Sequence, residues 1–136
     1  MIIDATDSIC GRIATVAAKR ALMGEKIDIV NAEKAVITGD RRHIIEKWKS
    51  KNKMGVPKKG PFIMKTPDRF LRRTIRGMLS YKEGRGKEAF ARIKCHIGVP
   101  EGMEKAQVIK EAHVDKLPNN KYITVKELTQ ELKFKR

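Results

Sequence analysis

Positive charge is gathered into one block of this chain, and that block carries the chain's electrostatic field. Between Arg41 and Arg92 stand 17 basic residues and four acidic ones, a net charge of +13; the other 84 residues hold 14 basic and 12 acidic, a net of +2. A field of that size raises the energy of any compact state, and a bound polyanion removes the penalty. A length of 136 residues suits one domain, residues 1–136, with a modest core. Nucleic acid is the first partner class for such a balance and an anionic membrane surface the second. No apolar run approaches the ~18 residues of a membrane span, so no membrane partner is expected. Met1-Ile2-Ile3-Asp4 has neither a basic start nor a cleavage site, and no leader is expected.

Apolar periodicity outside the block switches between strand and helix. Met1–Ala5 reads as a strand, Thr6-Asp7-Ser8 as a choice of N-caps, and Ile9–Met23 as a helix with Ile9, Ile13, Val16 and Ala17 inward, stopped by Gly24. Ile27–Val30 and Ala35–Thr38 read as further strands, and Asp40–Lys53 as a helix capped by Asp40 with Ile44, Ile45 and Trp48 inward. Ile29 and Val30 should both be inaccessible, as when helices cover both faces of a parallel sheet. Met54–Lys65, with Gly55, Pro57, Gly60 and Pro61, reads as a loop that orders on binding. Thr66-Pro67-Asp68 opens a helix to about Leu79; Ser80–Lys87 is a second basic loop, followed by a short helix at Lys87–Ala91 and a strand at Ile93–Ile97. Ala106–Ile109 is a weak strand candidate. Thr124 and Glu127 form a capping box for a small C-terminal helix at about 124–133, with Val125, Leu128 and Leu132 inward and a frayed basic tail, Lys133–Arg136, behind it. Alternating strands and helices imply an α/β fold: a short, mainly parallel sheet flanked by helices, with long basic loops.

The helix from Pro67 carries the most specific charge pattern. Arg69, Arg72, Arg73 and Arg76 follow i, i+3, i+4, i+7 and share one face; Leu71, Ile75 and Met78 share the other. Like charges at i, i+4 destabilise a helix by roughly 0.2–0.5 kcal/mol per pair, and no Glu is interleaved here to relieve them. A bound anion would, and the planar arginine fork suits phosphate. The blander interpretation, a solvated helix face, expects mixed signs, as in Lys126-Glu127. On the phosphate reading the four arginines could become Gln with the core left in place. The candidate RNA-contacting set adds Arg12, Arg41, Arg42, Lys49, Lys51, Lys53, Lys58, Lys59, Lys65, Lys82, Arg85, Lys87 and Arg92, with Phe62 as a base-stacking candidate.

Catalytic and metal readings find little support. The turn at Ala5–Arg12 has one glycine, Gly11, and lacks GxGxxG; GxxxxGK[ST] is absent as well. Cys10 and Cys95 are far apart, outside any CxxC pair, and read as reduced, semi-buried thiols of a cytosolic protein. His43, His96 and His113 show neither metal spacing nor an evident acid partner. Asn31, Thr38, Gly39 and Asp40 read as turn and cap residues before ligand groups, and Trp48 as core. No cofactor, small-molecule substrate or enzymatic activity is expected. A DNA-binding or chromatin-type protein is the runner-up, although helix-turn-helix, zinc-finger and basic-zipper patterns are absent.

The run Arg72-Arg73-Thr74-Ile75-Arg76-Gly77-Met78-Leu79 resembles the signature of the universal large-subunit ribosomal protein family L-thirteen. Asp4-Ala5 through Gly11-Arg12, Ala17-Ala18, Val30-Asn31-Ala32-Glu33-Lys34 and Thr38-Gly39 are similar to further blocks of that family. Gly60-Pro61-Phe62, Thr66-Pro67-Asp68-Arg69 and Ile93–Pro100 are similar to its archaeal and eukaryotic branch. The likeness covers most of residues 1–110. Ser80 stands where the family usually has proline and Cys95 where valine is common. The long C-terminal extension of eukaryotic members is missing, so an archaeal type is expected. The resemblance implies a parallel sheet flanked by helices and a structural role on large-subunit rRNA, beside neighbouring ribosomal proteins, in the cytoplasm.

Overall fold

The computed structural model describes residues 1–56 and 58–133; Pro57, within the first basic loop, and residues 134–136, the end of the tail expected to fray, lie outside them. Four strands, β1 (Ile2–Asp4), β2 (Ile27–Val30), β4 (Ile93–Cys95) and β5 (Gln107–Val108), form a parallel sheet in the order β4-β2-β1-β5. The weak candidate at Ala106–Ile109 is therefore a true edge strand, two residues long. The helices are α1 (Cys10–Leu22), α2 (Arg41–Lys53), α3 (Pro67–Arg76), α4 (Gly84–Ala91) and α5 (Val125–Lys133).

The remaining strand expectation needs a correction. β3 (Val36–Thr38) does not join the parallel sheet. It pairs antiparallel with β6 (Tyr122–Thr124), a strand the sequence reading lacked, and Ile37 faces Ile123 across the pair.

The core is aliphatic. Ile3, Ile27, Ile29 and Ile93 alternate along β1, β2 and β4 and pack with Ile13, Ala14, Ala17 and Ala21 of α1 and Leu71 and Ile75 of α3. Alanines on α1 let that helix lie close to the sheet. Ile29 and Val30 are both fully buried, as expected. Helices do not cover the two faces equally, however: in the register Ile2–Asp28–Lys94, Ile2 and Asp28 are only half-buried and Lys94 is exposed, so one sheet face is covered much more fully than the other.

Helix ends follow local chemistry. Asp40 caps α2, its carboxylate accepting from the backbone of Arg42 and His43 at 2.9 and 3.2 Å. Thr124 Oγ1 accepts from Glu127 N at 3.2 Å at the start of α5, whose Val125, Leu128 and Leu132 are buried as expected. At α1 the expected Thr6-Asp7-Ser8 caps are not used. The N-cap is Ile9, without a side-chain bond, because Thr6 turns back to Asp4 and the Ser8 hydroxyl donates to the Thr6 carbonyl. Thr66 likewise makes no capping bond to α3, where Pro67 removes one of the N–H groups needing a cap.

The chain reverses its direction of growth between β1 and β5, the place where open α/β sheets hold ligands beyond their strand ends. Here the protein's own chain occupies it. Ile9 N donates to Ala112 O, Val114 N to Asp7 O and Val36 N to Ser8 O. Ser8 and Ala112 are fully buried. Asn31, left-handed at φ 54°, donates to Asp4 Oδ1 at 3.0 Å, and that oxygen also accepts from Thr6 N and Thr6 Oγ1. The recurrent block around Asn31 is thus structural.

Candidate nucleic-acid interface

α3 is amphipathic in the strict sense. Pro67, Phe70, Leu71 and Ile75 are buried, which holds the helix against α1 and β4 and turns its arginines outward. The helix ends at Arg76, short of the expected Leu79. Met78 therefore leaves the packed face and is 44% exposed, while Leu79, in the following turn, is buried instead.

Arg69, Arg72, Arg73 and Arg76 all line a single open cleft of about 380 Å³, completed by Met64 and Phe90. Three of the four are held by uncharged partners. The Arg72 guanidinium sits over the Phe90 ring at 4.5 Å, and that of Arg76 over the Tyr81 ring at 4.8 Å. Arg73 donates to the Phe62 carbonyl, tying the loop after α2 to α3. Among the described residues none of the four pairs with a carboxylate. Arg72 Nε, Asp68 Oδ1 and Thr66 Oγ1 are buried without a hydrogen-bond partner. Phe90, Tyr81 and Met64 escaped the sequence reading. Their one signal there is an aromatic or apolar residue inside a basic run, the criterion that singled out Phe62.

The other candidates fall into two groups. Lys53, Lys58 and Phe62 border a second, smaller cleft of about 300 Å³ in the Met54–Phe62 loop, with Lys59 and Lys65 exposed beside it in sequence. Phe62 is 69% exposed, free to stack. Arg42, Lys51, Lys82, Arg85 and Lys87 are also exposed, and Lys51 lies over the Trp48 ring at 4.9 Å. Trp48 itself is half-buried edge-on to Phe70, a core role as expected. Arg12, Arg41, Lys49 and Arg92 form the second group and already have partners within the chain. Arg12 donates to Glu111 O at 2.8 Å, Arg41 lies 3.7 Å from Glu127, and Lys49 pairs with Glu131 at 3.0 Å. Arg92 reaches Glu88 and Ala21 O, both at 3.4 Å.

Two histidines do have acid partners, against expectation. His96 Nε2 lies 3.1 Å from Asp28 Oδ1, because β4 runs beside β2; His113 Nδ1 lies 2.9 Å from Asp115. Both cysteines are free thiols. Burial pushes Cys10 up to about 11 and Cys95 to about 12, so each stays protonated at neutral pH.

The fold and the cleft define a basic α/β protein with four arginines gathered on one open face. Among known proteins, the family described as Ribosomal protein L13 matches residues 1–102. The large ribosomal subunit protein uL13 of Methanopyrus kandleri is 44% identical over 137 residues, covering 98% of this chain and 86% of that protein. That of Archaeoglobus fulgidus is 42% identical over 98% of this chain and 88% of its own length, and that of Methanococcus maripaludis 44% identical over 96% and 95%. The chain belongs to the L13 family of ribosomal proteins. These relatives are archaeal, the type the resemblance implied.

Proposed function

We propose that this chain is a structural constituent of the large ribosomal subunit that binds and stabilises large-subunit rRNA, during assembly and in the mature ribosome, through the face centred on the α3 arginines. Its partners are that rRNA and neighbouring large-subunit proteins, and it works ribosome-bound in the cytoplasm, without catalysis. The observation that carries the placement is the convergence of four guanidiniums on one cleft without a carboxylate among them. Such a cluster is self-repelling when empty and neutralised when phosphate enters. Arginine forks held by rings and a carbonyl also lose less freedom on binding than lysines on free stems. The exposed cations of the loop after α2 (Lys53, Lys58, Lys59, Lys65) and of the α3–α4 region (Lys82, Arg85, Lys87) extend the surface on either side.

Crosslinking on isolated large subunits tests the placement. Crosslinks to rRNA should concentrate in peptides from 41–92 and be sparse in 1–40 and 107–133. A reversed distribution would displace the interface from α3.

A further inference from the structure

We propose, resting on the reading just given, that the cleft between α3 and α4 holds one unpaired RNA nucleotide, its base stacked on the Arg72 guanidinium and its phosphate held by Arg69 and Arg73. A groove that only tracks a phosphate backbone needs charge and gains nothing from an apolar wall. This cleft has both: Met64 and Phe90 line it together with the arginines. Its volume, about 380 Å³, falls in the range of pockets for single organic ligands, roughly 300–1,000 Å³. A nucleotide fits that space and a helix does not. Arg72 is the element that distinguishes base from phosphate. One side of its guanidinium rests on the Phe90 ring at 4.5 Å, and its Nε is buried without a partner. Phe90 thus braces a planar cation at the cleft wall, and Tyr81 does the same for Arg76 at 4.8 Å. Unstacked RNA bases are recognised by stacking on aromatic rings and on arginine planes. A ring-braced guanidinium offers that platform with little ordering left to do. Arg69, the most exposed of the four, and Arg73, anchored on the Phe62 carbonyl, flank it as donors for the phosphate.

The test uses the full chain and two RNA hairpins that differ by one unpaired nucleotide in the stem, made with 4-thiouridine at that position. The bulged hairpin should bind about 10-fold tighter than the paired one, the size of one base stack, and light should crosslink the thiouridine to α3 or α4. Arg72→Lys keeps the charge and removes the plane, so it should weaken binding of the bulged hairpin several-fold more than binding of the paired one and bring the ratio between them close to one. Equal binding of both hairpins by the natural chain, or a preference that survives Arg72→Lys, overturns the nucleotide pocket. The first of these outcomes needs no variant to fold. The double change Arg69→Gln, Arg73→Gln tests the underlying reading separately: affinity for both hairpins should drop together, and if neither drops the arginine face is not the RNA surface at all.

Discussion

Arg72 departs furthest from what residue spacing suggests. By period it is one of four equivalent outward arginines. In the fold its guanidinium lies over the Phe90 ring at 4.5 Å, and its Nε is buried without a partner. The expectation that all four could become Gln with the core left in place is therefore narrowed: Arg69, which is exposed, should tolerate the change, and Arg72 should not. Arg72→Gln should cost about 1–2 kcal/mol, from a partly desolvated cation–π contact, and Arg69→Gln less than about 0.5 kcal/mol; urea melts of the two variants check this. Asp4 makes a second residue-scale prediction. Burial alone would raise its carboxyl, but hydrogen bonds from the Asn31 side chain and from Thr6, with Lys34 nearby, outweigh it and hold the group below its ordinary value. A carboxyl depressed in the folded state stabilises fully above its unfolded value, about 3.9, and loses that contribution as pH falls through the lower folded value. Asn31→Ala should thus lower the melting temperature near neutrality and make its fall from about pH 5 to pH 2 shallower than in the natural chain. An unchanged slope would mean that Asn31 does not set the Asp4 charge. The same residue had a sequence signal, in that asparagine tolerates the left-handed conformation; its partner, 27 positions away, had none.

At the scale of elements, the apolar periods were legible where an element spans more than two turns. α1, α2 and α5 begin and end within a residue or two of where periodicity and caps put them. At α4 a tertiary contact outweighs a local signal. Gly84 and Gly86 read as loop residues, yet both lie in α4. Gly86 is there because a Cβ would sit 2.1 Å from the Ser80 carbonyl, so the turn after α3 can close onto α4 only over a glycine. Gly84 has open space around it. Opposite outcomes follow for one kind of change. Gly84→Ala should stabilise the protein by about 0.4–1 kcal/mol through the unfolded chain, while Gly86→Ala should destabilise it and loosen the wall that carries Tyr81 and Phe90. Chemical denaturation of both decides; equal effects would contradict the packing described. β6 was illegible for a different reason. It has three residues, only Ile123 of which is fully buried, and it exists because β3 offers it an antiparallel edge. No period can be read from so short a run.

On the whole molecule, charge segregation was the most readable property and the cleft the least. Sequence distinguished a +13 segment from a nearly neutral remainder, and the fold distributes that segment over α2, α3, α4 and the turns between them. It could not show that Phe90 lies under Arg72, since the two are joined only by the path of the chain around Gly86. If the basic face contacts roughly 6–10 phosphates, affinity for rRNA should fall by ~10³–10⁵ between 50 and 200 mM salt, by analogy with duplex DNA. The most direct test of the central claim compares Arg69→Gln, Arg73→Gln, Arg76→Gln in one chain with Ile75→Ala in another, by thermal melting and by titration with large-subunit rRNA. Arg72 stays in place, so the core contacts of Leu71 and Ile75 are untouched in the first variant. That variant should stay folded, losing no more than about 1–2 kcal/mol with the Arg76–Tyr81 stack and the Arg73 bond to the Phe62 carbonyl, and bind at least 100-fold more weakly, since each charge-assisted hydrogen bond is worth roughly 1.5–3 kcal/mol. Ile75→Ala should lose about 2–5 kcal/mol of stability through a cavity in the core, yet bind almost normally wherever it is folded. A triple-Gln chain that stays folded and binds rRNA as tightly as the natural one would contradict the account.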